Sequence, residues 1–361
     1  MIEPKIVMMC LKPSYFVSIL ILIFFSCASI PKKLKATVIS KEYIVQHPLT
    51  NNSHAATIVE YKPNHLMAAW FGGSHEGAKD VGIYSATFDG KKWSSPINLI
   101  KPLVTQSDTL PCWNPVLFKS KSQNLYLFYK VGKNPREWFG AMIVSKNNGD
   151  KWSDPIYLPK DFLGPIKNKP IEIISGQILC GSSTESVNTN QWRAHLEIYN
   201  EATATWKKTA IENKNEFEII QPTFLVHSKN KVQVLFRSKH NKIINSWSND
   251  KGMSWSNTDS LDVVNSNSGI DALTLSKNSF LLVNNPLPQG KDWFYGRNVL
   301  DIEHSNDGIH WQKLLDLENQ NEGEFSYPAI IQSADGKIHI VYTYNRKYIK
   351  HIVLKCYLHQ F

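Results

Sequence analysis

Short apolar runs rich in Val, Ile, Tyr and Phe follow one another along the chain and are separated by clusters of Gly, Asn, Asp and Ser. Runs of this kind, bounded by turn-forming residues, are typical of β-strands. After the linker at residues 31–34, no segment keeps a helical spacing of apolar positions long enough to predict a helix. The pattern therefore predicts an all-β protein.

One turn motif recurs between these runs, and its clearest copy, S-x-D-x-G-x-x-W, occupies residues 248–255. Its Ser and Asp can hydrogen-bond the backbone of their own turn, and its Gly supplies the positive φ that closes the turn. Less regular copies precede other tryptophans, and the set is Trp93, Trp152, Trp206, Trp255 and Trp311. These tryptophans are 59, 54, 49 and 56 residues apart, and repeats of this length indicate a propeller or a solenoid.

Each repeat contains four predicted strands, which is the content of a propeller blade. The fourth repeat shows them best, at residues 222–227, 232–236, 243–247 and after Trp255. The sixth repeat has only three, and residues 36–44 can supply the missing strand, which would close the ring and remove an exposed edge. We predict a six-bladed β-propeller with four-stranded antiparallel blades over residues 35–358. A seven-bladed ring is the alternative, but we find no seventh set of strands.

Each repeat opens with a polar or aromatic residue, which is followed by Pro or Ala and then by an apolar strand. The six opening residues are His54, Asn114, Lys169, Gln221, Asp271 and Tyr327. Because the first strand of each blade lines the central channel, we expect these side chains to form a ring around one mouth. Alternatively, they merely cap strands and bind water. Six different side chains at equivalent positions favour a site, since a scaffold would tend to repeat one residue.

A second tier of polar residues lies at the ends of the second strands or in the loops that follow them. We expect these loops to be on the same side of the propeller as the mouth. It comprises Glu76, Asp80, Arg136, Glu137, Trp192, Arg193, Arg237 and Arg297. With Lys169, the arginines at 193, 237 and 297 predict a cationic cup that binds an anionic sugar such as a sialic or uronic acid. Arg237 is the most informative, because it ends an apolar strand, where a buried guanidinium needs an acidic partner or a ligand.

The charge of the chain and its N-terminal segment bear on the kind of ligand and on the cellular location of the protein. The net charge of +9 fits either a soluble basic surface or the steering of an anionic ligand. The scattered lysines and the lack of a recognition motif do not favour nucleic acid. Residues 1–30 contain two lysines, a short apolar run and then small residues, which predicts a secretory signal and an exported protein, secreted, periplasmic or in the cell envelope. Cys27 is a candidate for lipid attachment, as the acylated first residue of a bacterial lipoprotein; an ordinary cleaved signal and an uncleaved anchor are the alternatives.

We expect no metal or cofactor. Past the signal only Cys112, Cys180 and Cys356 remain, an odd and widely spaced set that predicts no disulfide framework. The sequence has no clustered His and Cys ligands for zinc and no Asp-rich calcium loop. It also has no glycine loop typical of nucleotide binding.

The turns, the repeat and the second tier resemble the sialidase (neuraminidase) superfamily, and most of all its BNR-repeat branch, over residues 51–354. The phrases that together carry the resemblance stand at residues 70–73, 112–115, 220–223, 268–271 and 325–328. It implies a retaining hydrolase that removes a terminal acidic sugar, with a Tyr nucleophile activated by a Glu, an Asp acid/base and three carboxylate-binding Arg. On that resemblance Tyr327 is the nucleophile, Asp80 the acid/base, and Arg237 and Arg297 are two of the three arginines.

Two positions depart from that pattern. His54 and its neighbours stand where the first Arg is expected, and Gln221 stands where the activating Glu is expected. Gln cannot take the proton of the Tyr, and a missing Arg weakens the grip on a carboxylate; Glu218 or Glu324 are candidate substitutes for the Glu.

Three hypotheses follow, in order of preference. The first is the exo-acting hydrolase with Tyr327 as nucleophile. The second is a lyase or other glycosidase on a uronate-containing polysaccharide, with His54 or Tyr327 as base and acid and with Arg237 and Arg297 neutralising the uronate. The third is a non-catalytic carbohydrate-binding propeller, which the missing Glu favours.

Overall fold

A computed structural model of the chain describes residues 33–276, 278–292 and 294–359. The predicted signal at residues 1–30, with Cys27, lies outside the described residues. In the described part all strands pair antiparallel, in six four-stranded sheets and one two-stranded ribbon. The predicted six-bladed β-propeller is therefore confirmed. The described residues include no helix that is long and apolar enough to cross a membrane.

The strands follow the predicted order, blade by blade. Strand β1 (Lys33–Tyr43) precedes the first blade, which comprises β2 (Asn52–Lys62), β3 (His65–Gly73), β4 (Gly82–Phe88) and β5 (Ile97–Ile100). The ribbon of β6 (Leu103–Val104) and β7 (Thr109–Leu110) leads to the second blade, with β8 (Cys112–Lys119), β9 (Leu125–Val131), β10 (Phe139–Ser145) and β11 (Ile156–Tyr157). The third blade comprises β12 (Ile171–Ile174), β13 (Gln177–Glu185), β14 (Trp192–Asn200) and β15 (Thr205–Thr209).

The second half of the ring repeats this arrangement. The fourth blade comprises β16 (Ile219–Val226), β17 (Val232–Ser238), β18 (Lys242–Ser248) and β19 (Asp259–Val264). The fifth comprises β20 (Asp271–Ser276), β21 (Ser279–Asn284), β22 (Val299–Ser305) and β23 (Gln312–Asn319). The sixth comprises β24 (Phe325–Gln332), β25 (Ile338–Tyr344) and β26 (Tyr348–His359).

The N-terminal strand β1 closes the ring as predicted. It is the outer strand of the sixth blade, in the order β1-β26-β25-β24. Its antiparallel register runs from Lys33 opposite His359 to Tyr43 opposite Lys350. The strand begins three residues before the predicted segment and ends one residue before its last position. This pairing occupies the edge that β26 would otherwise expose.

The recurring turn of the fourth blade packs against the third blade. In its clearest copy, Ser248 Oγ donates to Asp250 Oδ1 and accepts from the amide of Gly252, both at 2.7 Å. Gly252 has φ of 87° and lies so close to the third blade that a Cβ would stand 2.7 Å from Leu179 Cδ2. Trp255 is buried in the same cluster as Leu179, so the turn and its Trp hold the fourth blade against the third.

A β-bulge shapes the mouth end of the first strand in four blades. Each bulge holds one residue with positive φ, at Ala55, Asn114, Gln221 and Tyr327, with values of 40° to 54°. In the first blade this residue is Ala55, so His54 is displaced by one position from the predicted equivalence with Gln221 and Tyr327. Positive φ is uncommon for residues other than Gly and persists where the surrounding structure holds it.

Candidate functional site

Three of the predicted site residues meet through their side chains at the mouth of the channel. The hydroxyl of Tyr327 accepts a hydrogen bond from Arg237 Nη1 at 2.9 Å and lies 3.3 Å from the amide nitrogen of Gln221, which also donates to it. Arg237 Nη1 donates as well to Gln221 Oε1, at 3.2 Å. The bulges of the fourth and sixth blades place Gln221 and Tyr327 on the channel, and Arg237 is the residue opposite Ile220 on β17.

A second arginine joins this cluster. Arg297 Nη2 and Arg237 Nε both donate to the backbone carbonyl of Asn267, at 3.3 and 2.9 Å. The Arg237 guanidinium also lies over the ring of Trp192, with its carbon 5.0 Å from the ring centroid. The predicted convergence of Arg237 and Arg297 is thus present in the structure, with Trp192 below one of them.

The two arginines differ in their counterions. Arg297 Nη1 forms an ion pair with Glu324 Oε1 at 3.0 Å. Arg237 is only 7% exposed, and its hydrogen bonds go to the neutral oxygens of Asn267, Gln221 and Tyr327. In the described part of the chain, no carboxylate forms an ion pair with Arg237. A buried guanidinium without a carboxylate is costly, and an anionic ligand at the mouth would supply the missing charge.

Arg346 is a site residue that the sequence reasoning missed. It lies in the turn between β25 and β26, where its Nε forms an ion pair with Glu324 Oε2 at 2.7 Å. It also pairs with Glu76, one of the predicted residues. Burial opposes the charge of Arg346, but the Glu324 and Glu76 carboxylates outweigh it and raise the pKa of Arg346. The turn after the second strand of the sixth blade is the position that yielded the other tier residues, so the same rule could have found it.

His54 lies against Tyr327 in spite of its displaced register. The two ring centroids are 4.3 Å apart, and His54 Nδ1 is 2.9 Å from Thr343 Oγ1. Burial, followed by the charges of Arg346 and the other nearby cations, holds the pKa of His54 well below its usual value. Its Nε2 is buried and has no hydrogen-bond partner among the described residues. His54 is therefore a neutral imidazole with one buried nitrogen that makes no hydrogen bond among the described residues.

Lys169 and Asp271 are placed differently from the prediction. Lys169 Nζ pairs with Asp271 Oδ2 at 2.8 Å and donates to the carbonyl of Ala272. Asp271 also accepts from the Thr223 hydroxyl and from the amide of Ile330. The pair joins the third, fourth, fifth and sixth blades and neutralises itself, so Lys169 is not an additional free cation beside Arg237.

The remaining predicted residues do not contact Tyr327 through hydrogen bonds. Asp80 is exposed and accepts from the amide and the hydroxyl of Ser74 at 3.0 to 3.1 Å. Arg193 donates to the carbonyl of Trp192 at 3.1 Å. Asn114 is buried at the bulge of the second blade.

Glu185 is another carboxyl near the arginines that the sequence reasoning did not single out. Burial raises its pKa, although the charges of Arg237, Arg136 and Lys239 act in the opposite direction. It ends β13, the second strand of the third blade, and so belongs to the same tier of positions. No group of three or more His, Cys, Asp or Glu residues in the described part of the chain could hold a metal ion.

The chain was compared with protein families, with curated proteins and with solved structures. The family model for the BNR repeat-like domain matches residues 64–340. No curated protein matches the sequence. A protein of unknown function from Dyadobacter fermentans superposes with a TM-score of 0.71 at 15% identity, covering 89% of this chain and 99% of that one.

Two sialidases share the fold. A variant of the NanB sialidase from Streptococcus pneumoniae has a TM-score of 0.66 at 14% identity, covering 85% of this chain and 68% of that one. The Trypanosoma rangeli sialidase in complex with sialic acid has a TM-score of 0.63 at 14% identity, covering 89% of this chain and 58% of that one. At these identities the likeness shows the fold, a sialidase-type propeller.

Proposed function

The chain belongs to the BNR repeat-like domain family, and from that premise we propose that it is a glycoside hydrolase acting on a terminal sugar that carries a carboxylate. The observation that carries the proposal is the buried guanidinium of Arg237, which has no carboxylate partner among the described residues. Arg297 lies beside it, and the two forks together suit bidentate binding of a carboxylate. The sialidase fold of the solved neighbours adds support.

In this proposal Tyr327 is the nucleophile of a retaining reaction. Its oxygen attacks the anomeric carbon, the bond to the leaving oxygen breaks, and the leaving oxygen receives a proton; water then cleaves the sugar from the Tyr. Arg237 Nη1, 2.9 Å from the phenol oxygen, stabilises the negative charge that develops there. A phenol suits this substrate because a carboxylate nucleophile would be repelled by the carboxylate of the sugar.

The proton transfers are assigned to different groups. Gln221 orients the phenol but has no basic site for its proton. His54, whose ring contacts Tyr327, is the base that we propose in place of the Glu, although burial and the nearby cations lower its pKa. Asp80 is the acid that the resemblance implies, and its exposed loop borders Glu76, which pairs with Arg346.

The state of His54 also favours a second candidate function, β-elimination from a uronate. Here a base removes the proton on the carbon next to the carboxylate, a carbon–carbon double bond forms, and the leaving oxygen departs with a proton. His54 and Tyr327 would act as base and acid, and Arg237 would neutralise the carboxylate. A neutral imidazole whose Nε2 makes no hydrogen bond among the described residues, adjacent to a tyrosine, suits that pair.

One experiment separates these reactions and the non-catalytic alternative. The protein is incubated in ¹⁸O-labelled water with an aryl sialoside and with uronate-containing polysaccharides. Hydrolysis gives a reducing sugar that carries ¹⁸O, whereas elimination gives an unsaturated product that absorbs in the ultraviolet and carries none. Binding without either product, on a panel of glycans, would select the carbohydrate-binding propeller. Neither binding nor turnover of any carboxylated glycan would overturn the proposal.

We also propose that the protein is exported, because residues 1–30 have the composition of a secretory signal. Mass spectrometry of the mature N-terminus tests this. A chain that starts near residue 30 supports a cleaved signal, an acylated Cys27 supports a lipoprotein, and an unprocessed cytoplasmic chain contradicts export.

A further inference from the structure

A buried lysine lies next to the proposed nucleophile. Lys167 is 3% exposed, and it precedes the third blade. Its Nζ donates to Asn168 Oδ1 at 2.8 Å, to the carbonyl of Ile270 at 3.0 Å, and to the carbonyl of Pro328. Three acceptors match the three N–H groups of an ammonium ion. One side chain therefore connects the segments that enter the third, fifth and sixth blades.

The contacts of Lys167 and its neighbour lead directly to the site. Pro328 follows Tyr327, whose φ is 53°, and Lys167 Nζ is 5.9 Å from the centroid of the Tyr327 ring. Asn168 Nδ2 donates to the carbonyls of Gln221 and Pro222, at 3.0 and 3.1 Å. The two bulges that present Tyr327 and Gln221 are thus held from below by consecutive residues.

Gly269 shows how tightly this region is packed. A Cβ at Gly269 would stand 3.2 Å from Lys167 Cε and 3.4 Å from both Gln221 Oε1 and Tyr327 Cδ2. A positive φ at a tyrosine is strained and persists only where its surroundings hold it. The bond from Lys167 to the carbonyl of Pro328 fixes the peptide that immediately follows the strained residue.

We propose that Lys167 is a positioning residue for Tyr327: its ammonium group fixes the bulge that presents the phenol to Arg237 and the sugar. Lys167 does not touch the substrate and takes no part in bond making. The inference rests on the proposed function for its rate measurements, whereas its structural readout is independent of any activity.

The charge of Lys167 gives the proposal a pH dependence. Burial lowers the pKa of Lys167 to about 7, with Asp271 acting in the opposite direction and Lys169 and Arg237 adding to the effect of burial. The neutral amine has two N–H groups, so one of the three acceptors is released once the proton is lost. The charged and titratable groups that face Lys167 are Asp271, Lys169, Arg237, His54 and Tyr327.

The chain offers a matched control in Lys130. This lysine of β9 is also fully buried, burial lowers its pKa to about 7, and its Nζ donates to the carbonyl of Pro165. We expect Lys167→Met and Lys130→Met to lose comparable stability. Only Lys167→Met should lower kcat, by about 100-fold, as expected for a misplacement of about 1 Å. KM should change by less than about twofold in both variants.

The pH profile and the crystal structures complete the test. The kcat of the wild type and of Lys130→Met should fall above pH 7. The residual kcat of Lys167→Met should not fall in that pH range. The Tyr327–Arg237 distance is 2.9 Å in the present structure. Compared with the wild type in crystal structures, it should lengthen by about 1 Å in Lys167→Met and stay unchanged in Lys130→Met. An unchanged distance, or a wild-type kcat in Lys167→Met, would overturn the inference.

A milder variant serves if Lys167→Met does not fold. Gly269→Ala keeps the lysine and presses on Lys167 Cε, while it only contacts Gln221 and Tyr327, so we expect a lower kcat, a lengthened Tyr327–Arg237 distance and a retained fold. If Gly269→Ala leaves both kcat and that distance unchanged, Lys167 does not control the position of Tyr327. If the wild type turns over no glycan, the hydrolase proposal fails, and the crystallographic distances alone decide the role of Lys167.

Discussion

Arg237 and Arg297 donate to one and the same carbonyl oxygen, that of Asn267, although they belong to different blades. Glu324 forms an ion pair with Arg297, whereas no carboxylate of the described residues forms an ion pair with Arg237. The mouth of the channel therefore contains a fixed pair of guanidinium groups with one charge left for a ligand.

This pair predicts opposite effects of Arg237→Gln on binding and on stability. Loss of charged hydrogen bonds to a carboxylate should weaken binding of a carboxylated sugar by roughly 10- to 100-fold. The free energy of unfolding should stay the same or rise, because an uncompensated buried charge is removed. Titration calorimetry with sialic and glucuronic acids, together with urea unfolding, measures both.

Arg193→Gln is the control for that variant, since Arg193 contacts the carbonyl of Trp192 and not the Asn267 carbonyl. It should leave the affinity unchanged. Full affinity in Arg237→Gln combined with lower stability would show that Arg237 is a structural residue and not a ligand site.

Tyr327→Phe should abolish turnover and keep binding. The phenyl ring preserves the contact with His54, whose centroid is 4.3 Å away, while the atom that attacks or donates a proton is lost. We expect kcat to fall on the order of 10³-fold or more, in line with the removal of a nucleophile. Tyr157→Phe, at a half-exposed position of the second blade, is the control. A fully active Tyr327→Phe enzyme would exclude both catalytic mechanisms.

A pair of buried histidines in the sixth blade predicts a loss of stability in acid. Trp93 Nε1 donates to His351 Nδ1 at 3.2 Å, and His351 Nε2 lies 3.0 Å from His339 Nδ1. His339 Nε2 in turn lies within hydrogen-bond distance of the Ser333 hydroxyl. Burial, followed by the charge of His351, lowers the pKa of His339 to about 4.

The sign follows from proton binding in the two states. An unfolded histidine takes up its proton near pH 6.5 and folded His339 near pH 4, so the unfolded state binds more protons between these values. The free energy of unfolding should therefore fall as the pH drops from about 6.5 to about 4, by up to about 3 kcal/mol from His339. The free energy of unfolding, measured with urea at several pH values, should change less steeply with pH in His339→Gln than in the wild type. The exposed His47 provides the control, and an unchanged slope in His339→Gln would contradict the assignment.

Two glycines separate the cost of backbone strain from the cost of packing. Gly252 and Gly336 have φ of 87° and 81°, but a Cβ at Gly252 would stand 2.7 Å from Leu179 Cδ2, whereas a Cβ at Gly336 meets nothing within 4 Å. We expect Gly336→Ala to lose about 1 kcal/mol of stability and Gly252→Ala about 2 to 4 kcal/mol. Equal losses in urea unfolding would mean that the turn does not fasten the fourth blade to the third.

The fold could be predicted from the sequence because short, repeated segments specify the turns and strands of a propeller. The Trp spacing recurs through the first five blades, and the three-stranded sixth repeat required a strand from elsewhere, which β1 supplies. Arg237 was identifiable for a similar reason, as a charge at the end of an apolar strand. Arg346 met the same criterion as the other tier residues and was overlooked.

Other features of the site depend on geometry that spacing does not encode. A bulge adds one residue to a strand, and in three blades Pro115, Pro222 or Pro328 marks it, but in the first blade Ala56 takes that place. His54 was therefore assigned one position out of register. Lys169 and Asp271 pair across 102 residues, and such a long-range ion pair decides which cation stays available.

The direction of β1 has a topographical consequence. The strand reaches the mouth at Tyr43 and starts beside His359, at the end of β26 farthest from Tyr348 and the mouth. The described part of the chain therefore begins on the side of the propeller opposite Tyr327. Any attachment made at that end would hold the protein by the face opposite the pocket and leave the mouth of the channel accessible to ligands.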